Sequence, residues 1–206
     1  PAVERVQGIC RHFSLLQVAF LRAHGVPARM RCGFSNYFDR TKWYDHWITE
    51  RWDGRRWVRD DPQVDSFQAA IIKADFDLND QPPGQFLDAS QAWQATRAGD
   101  LDASVFGVFN MWGFPFIAGN VVSDFACINK VELLPWDAWS PLTAGGPFRE
   151  LAETAATLDA CCAQIATDDF DAISARAEGD HDLRVRQQSP PIHSAPHAPP
   201  QPATTG

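Results

Sequence analysis

His46-Trp47-Ile48-Thr49-Glu50-Arg51-Trp52-Asp53-Gly54-Arg55-Arg56-Trp57-Val58-Arg59-Asp60-Asp61 contains two β-rich runs separated by an Asp-Gly pair. Asp-Gly is a strong hairpin signal, because a tight two-residue turn needs residues that tolerate positive φ. A loop made of Asp53 and Gly54 sets Trp52 opposite Arg55, Glu50 opposite Trp57, Ile48 opposite Arg59 and His46 opposite Asp61. Directly opposed residues bring their Cβ atoms to roughly 4.5–5.5 Å. The Asp61 carboxylate can then take an imidazole N–H and fix which nitrogen is left for chemistry. Asp60 pairs with Trp47 on the other face, so the register selects Asp61, and Pro62 ends the strand behind it.

A nucleophile for this pair stands upstream. After Cys10, Phe13, Leu16, Phe20 and Ala23 recur at three- and four-residue steps, with Leu21 also apolar, which predicts a helix buried on that side. Gly25 supplies its stop and Pro27 forbids continuation. Cys10 then lies at a helix N-terminus, where unpaired N–H groups and the helix dipole stabilise a thiolate. Its own N–H can donate to an oxyanion. Thiol, base and orienting carboxylate together make an acyl-transfer centre. His12 and His24 compete for the base role, but His12 points to a different helix face and reads as a surface or capping residue. His24 closes the helix, where a cation suits the dipole. Taken singly, the plainer readings are a solvated ribbon and a small buried thiol.

The surrounding text joins these residues. Gly8-Ile9-Cys10-Arg11-His12-Phe13-Ser14, Leu21-Arg22-Ala23-His24-Gly25-Val26-Pro27-Ala28-Arg29, Arg31-Cys32-Gly33-Phe34, His46-Trp47 and Trp57-Val58-Arg59-Asp60-Asp61-Pro62 occur in that order. Together they resemble the core of the transglutaminase-like superfamily, over about residues 5–65. The resemblance implies Cys10, His46 and Asp61 as the catalytic triad, and an α+β, papain-like core in which the Cys10 helix packs on a small antiparallel sheet of about 28–34, 46–52 and 55–61. It implies an oxyanion site formed by the Cys10 N–H and a second donor, for which Gln7 is the nearest candidate. The chain begins at Pro1 without an initiator Met, reads as truncated, and leaves that donor open. Trp47 and Trp112 are expected in the substrate cleft.

Composition narrows the partners. A net charge of −8 argues against nucleic acid or an anionic membrane. Eight Trp and fourteen Phe can fill a real core. The five cysteines (10, 32, 127, 161 and 162) show no CxxC spacing, and an odd number is a poor disulfide framework. A reducing, cytoplasmic compartment is therefore expected. Cys161-Cys162 falls in an Ala-rich helical run and suits packing better than redox chemistry. No signal peptide or long apolar span is visible. Neither a metal nor a cofactor is expected; His193 and His197 sit among prolines that forbid a helical metal pair.

Beyond the 1–65 core, residues 66–140 read as a helical and loop extension, 141–180 as a C-terminal helical segment and 181–206 as a disordered Pro- and His-bearing tail. Asp88 to Ala98 predicts a helix, and Val105 to Ile117 a buried loop or cleft wall. Asn120 to Leu134 predicts a helix with Val121, Phe125, Ile128 and Leu133 inward and Asp124, Asn129, Lys130 and Glu132 solvated. Trp136 and Trp139 are expected to clamp its end, and Phe148 to Ala177 to form a helix broken near Thr167-Asp168-Asp169. The expected reaction is hydrolysis of a peptide-like amide in a peptide or protein substrate through an acyl-thioester. Amine transfer to glutamine, as in transglutaminases proper, and a non-catalytic scaffold are the alternatives. Oligomeric state is not legible.

Overall fold

In the computed structural model, which describes residues 7–135, 151–180 and 183, the chain is α+β with a mixed sheet. Helix α1 (Cys10–Ala23) precedes strands β1 (Ala28–Ser35), β2 (Trp43–Trp52) and β3 (Trp57–Asp60). Helix α2 (Ser66–Ile72), strand β4 (Phe86–Asp88), helix α3 (Ala89–Ala98), and strands β5 (Phe106–Val108) and β6 (Met111–Trp112) follow. Helices α4 (Phe114–Ile128), α5 (Leu151–Ala166) and α6 (Phe170–Gly179) complete the described chain. The antiparallel pair β1–β2 is the centre, running from Ala28↔Arg51 to Ser35↔Tyr44. β4 lies along the outer edge of β1, so close at Gly33 that a Cβ there would come within 2.2 Å of the Leu87 carbonyl oxygen. β3 and β5 share the other edge of β2: β3 pairs with residues 49–52 and β5, in parallel, with Trp43 and Tyr44. Between them residues 45–48 have a strand partner on the β1 side alone among the described residues.

The hairpin register differs from the expected one by two residues. Trp52 faces Trp57, Glu50 faces Arg59 and Thr49 faces Asp60. The cause is the Asp53 carboxylate, which accepts the N–H groups of Arg55 (2.8 Å) and Arg56 (2.9 Å). This moves the turn one position along: Gly54, at φ +99°, becomes its first central residue, and Asp53 N–H donates to the Arg56 carbonyl at 3.1 Å. The displaced register also sets the two indole rings 5.5 Å apart and puts Arg59 3.2 Å from Glu50, better cross-strand pairs than Trp52–Arg55 and Glu50–Trp57. An even displacement leaves every side chain on its face.

Helix α1 corrects a second expectation. Phe13, Leu16 and Phe20 are 40%, 54% and 59% exposed, and Ala23 is exposed, while Arg11, Ser14 and Val18 are buried. The face toward the sheet adds a hydrogen-bonded joint to the apolar packing of Leu15, Val18 and Leu21 on Met30 and Trp47. Ser14 Oγ donates to the Trp47 carbonyl (2.9 Å), Gln17 Nε2 to Asp60 Oδ2 (2.9 Å) and Thr49 Oγ1 to the Ser14 carbonyl (3.4 Å). Apolar periodicity cannot detect such a face. The helix ends as expected, with Gly25 in the left-handed region and Val26 N–H returning to Leu21 O.

Asp124 is the third correction, since it is fully buried rather than solvated; Lys130 and Glu132 are exposed and Asn129 half-buried. Arg31 on β1 grips it with two hydrogen bonds, Nε to Oδ1 (2.9 Å) and Nη2 to Oδ2 (2.8 Å). Asp124 Oδ1 also accepts the Cys32 N–H (2.9 Å), taking over the edge of β1 where β4 stops. The same guanidinium reaches Glu50 (3.1 Å) and Asp88 (3.2 Å), and Glu50 is held in addition by Arg29 (2.8 Å) and Arg59. α4 starts six residues before the predicted Asn120 and ends at Ile128; nearly all of its last two turns are buried, so no solvated stripe exists to read. The Val105–Ile117 text supplies β5, β6 and the first turn of α4, with Gly113 before the helix and Pro115 in its first turn.

The remaining helices follow their signals. Asp88 caps α3 by accepting Gln91 N–H (2.9 Å), and Gly99 closes it. The break between α5 and α6 falls at 167–169. Cys161 and Cys162 are unbridged and buried in the core with Trp93, Phe125 and Leu158. Trp136, Trp139, the start at Phe148, and the tail with His193 and His197 lie outside the described residues.

Removing one partner of the buried Arg31–Asp124 pair strands a charge, so Asp124→Ala should lower unfolding free energy by about 3–5 kcal/mol in urea titration. Leu16→Gln on the exposed side of α1 should change it by less than about 0.5 kcal/mol. Burial opposes ionisation of Glu50, but Arg31, Arg29 and Arg59 outweigh it and lower its pKa to about 2 from 4.5. Its contribution is present above 4.5 and lost as pH falls through about 2, so acid unfolding of Glu50→Gln should show a smaller loss of stability over that interval.

Candidate active site

Three elements converge at the split edge of β2. α1 presents Cys10 as its first residue, half-exposed. β2 carries His46, which is buried, and the chain leaving β3 carries Asp61, also buried. β3 ends at Asp60, and Asp61 N–H turns away to the Leu78 carbonyl (2.9 Å). Asp61 therefore approaches His46 along the diagonal rather than from directly across. The two side chains span it: His46 Nε2 lies 2.8 Å from Asp61 Oδ2. With Nε2 so engaged, Nδ1 is the ring nitrogen left for the Cys10 thiol, which lines the same cleft as His46. Asp60 faces elsewhere, accepting from Gln17 and lying 3.6 Å from Arg51.

The imidazole is enclosed by aromatic rings, Phe38 at 5.0 Å and Tyr37 at 6.0 Å, both edge-on. Asp61 is saturated with donors. Tyr37 Oη donates to Oδ2 at 2.6 Å and the Gln63 backbone N–H to Oδ1 at 3.0 Å. Burial disfavours the imidazolium, but the Asp61 charge, its hydrogen bond and Cys10 outweigh that and raise the His46 pKa to about 10. Asp61 moves the opposite way: burial would raise it, and His46, Tyr37 and Gln63 lower it. His46 thus adds stability fully below 6.5, lost as pH rises through about 10. That of Asp61 is present above 3.8 and lost as pH falls through its depressed value.

The site opens into a cleft of about 400 Å³ bordered by Ile9, Cys10, Phe38, Tyr44, His46 and Phe109. Trp47 backs this cleft but is only 2% exposed. Trp112, the other Trp expected in the cleft, stands behind it: its Nε1 donates to the Phe109 carbonyl (2.8 Å) and its ring meets Tyr44. Phe109, left-handed at φ +52° and 76% exposed, occupies the wall instead. Gln7 is exposed and does not border the cleft, whereas Gln63 does. His12 accepts the Ile9 N–H through Nδ1 (3.1 Å), and His24 Nδ1 meets Phe20 O (2.8 Å). Among the described residues no cluster of His, Cys, Asp or Glu suits a metal ion, and no helix is long and apolar enough to cross a membrane. Phe109, Tyr37 and Gln63 carry no sequence signal of their role, because each reaches the site only through tertiary folding.

The family model of the transglutaminase-like superfamily matches residues 1–62. That segment is transglutaminase-like. The match contains Cys10, His46 and Asp61 and ends one residue past the last of them. No curated protein and no solved structure matches the chain.

The four other cysteines are buried, and burial raises the pKa of Cys32, Cys127, Cys161 and Cys162. Iodoacetamide at pH 7 should therefore modify Cys10 alone in the folded protein, as read by peptide mass spectrometry. Comparable labelling of Cys32 or Cys127 would contradict this geometry. In Asp61→Asn, burial is no longer opposed by a carboxylate, so the NMR titration midpoint of His46 should fall from about 10 to below 6.5.

Proposed function

We propose that this protein is a cysteine-dependent acyl-transfer enzyme with a papain-like arrangement of Cys10, His46 and Asp61, hydrolysing a peptide-like amide. The observation that carries the reading is the buried His46–Asp61 hydrogen bond on the wall of the same open cleft that Cys10 borders from the tip of α1.

Cys10 Sγ attacks the amide carbonyl carbon, and the tetrahedral oxyanion accepts the Cys10 N–H at the start of α1. His46, charged at neutral pH, gives its Nδ1 proton to the leaving amine, and the thioester remains. Water adds to the thioester carbonyl carbon as His46 takes its proton, the C–S bond breaks, and the acid leaves with Cys10 restored as the thiolate and His46 charged again. Asp61 keeps the ring in one orientation and balances its charge throughout. The aromatic walls of Phe38, Tyr44 and Phe109 suit a substrate with an extended apolar surface.

Screening the protein against amides and esters, with Cys10→Ala as control, tests the proposal. The expected result is turnover by the parent protein and none by the variant, whose melting temperature should stay within about 2 °C of the parent's, because a half-exposed thiol contributes little packing. Adding a fluorescent primary amine separates the acceptors. Release of free acid with no incorporation supports hydrolysis, and incorporation into a glutamine-bearing protein shows amine transfer. Turnover retained in Cys10→Ala would sink the mechanism.

A further inference from the structure

Tyr37 belongs to none of the elements that carry the triad. It lies in the connection between β1 and β2, yet it is 2% exposed and its ring stands edge-on to His46. Its hydroxyl donates to Asp61 Oδ2 at 2.6 Å, and His46 Nε2 uses the same oxygen at 2.8 Å. Phenol and imidazole therefore share one acceptor atom, while the Gln63 N–H occupies Oδ1. A further donor to the hydroxyl is distant: Gln81 Nε2 at 3.4 Å. A buried carboxylate with a single strong donor would be free to swing about its χ2 axis. With donors from three directions it has one orientation.

We propose that Tyr37 is a positioning residue of the site: its hydroxyl fixes the direction of the Asp61 carboxylate and, through it, the orientation of His46. This rests on the acyl-transfer reading above. The consequence for turnover is specific. An imidazolium whose carboxylate swings loses its orientation toward Cys10. Tyr37 prevents that swing. The titratable groups facing His46 are Asp61, Cys10 and Tyr37, with Asp39 and Asp45 on the wall of the same cleft. Burial and the Asp61 charge push the Tyr37 phenol well above its ordinary range, so it stays protonated as the donor at any pH the fold experiences.

The test is the solvent exchange of the His46 Nε2 proton, followed by NMR in Tyr37→Phe, in Asp61→Asn and in the double variant. If Tyr37 acts through Asp61, Tyr37→Phe speeds exchange tenfold or more in the parent protein and adds less than twofold in Asp61→Asn. On a substrate found by the screen above, the same variant lowers kcat about tenfold with KM within twofold. No acceleration in Tyr37→Phe, or an equal acceleration in both backgrounds, overturns the proposal. Because exchange needs no substrate, this readout stands apart from a failure to find any turnover. Should Tyr37→Phe not fold, 3-fluorotyrosine at position 37 retains the ring and hydroxyl while making the hydroxyl a stronger donor. A stronger donor holds Asp61 more firmly, so exchange of the Nε2 proton should slow at least twofold, and unchanged or faster exchange overturns the proposal equally.

Discussion

Ser14 lies one turn beyond Cys10, and its hydroxyl donates to the carbonyl of Trp47, the residue after His46, at 2.9 Å. This bond joins the helix that carries the Cys10 thiol to the strand that carries the His46 imidazole, within four residues of one and one residue of the other. The depth of α1 on the sheet, and with it the contact between Cys10 and His46, follows from that joint and from Gln17–Asp60 one turn further on. A purely apolar interface could slide by a fraction of a turn at little cost, whereas directional bonds lose most of their strength over a few tenths of an ångström. Register between a helix and a sheet is what an active thiol requires, and hydrogen bonds supply it more sharply than hydrophobic contact.

A second set of polar contacts braces the far end of the sheet. Arg31 binds Asp124 with two bonds and extends to Glu50 and Asp88, and Arg29 and Arg59 complete the shell around Glu50. The cluster ties β1, β2, β3, β4 and α4 together. Such networks are costly to desolvate and are stable when every charge is matched, and here each carboxylate meets at least one guanidinium. The rigid sheet lets the split edge of β2 carry His46 without a third strand beside it.

How much of this was legible in the sequence divides by physical cause. Cys10 at a helix start, Gly25 at its end, the helix from Asp88 to Ala98 and the break near Asp169 are local signals, and each of these elements occurs where its residues indicate, to within a residue. The α+β class was legible for the same reason, and the transglutaminase-like text spans the segment that the family match covers. The buried side of α1 was not, because the helix turns Ser14 and Arg11 inward and leaves Leu16 and Phe20 out, against the usual partition. Asp124 was misplaced because its partner lies 93 residues away, and a carboxylate on a helix reads as solvated until that partner is known. Tyr37 and Phe109 lie in connections, where nothing in the neighbouring residues points to the site.

The turn at Gly54 has a further consequence for how this architecture tolerates changes in length. Because side chains alternate along a strand, pairing that moves by two residues returns every group to its original side, while a move of one inverts them all. The carboxylate of Asp61 reaches its imidazole along a diagonal, so the pair forms without the two residues standing directly opposite. A slip of one would instead carry that carboxylate to the opposite side of the sheet: parity, more than distance, is what keeps the two groups together.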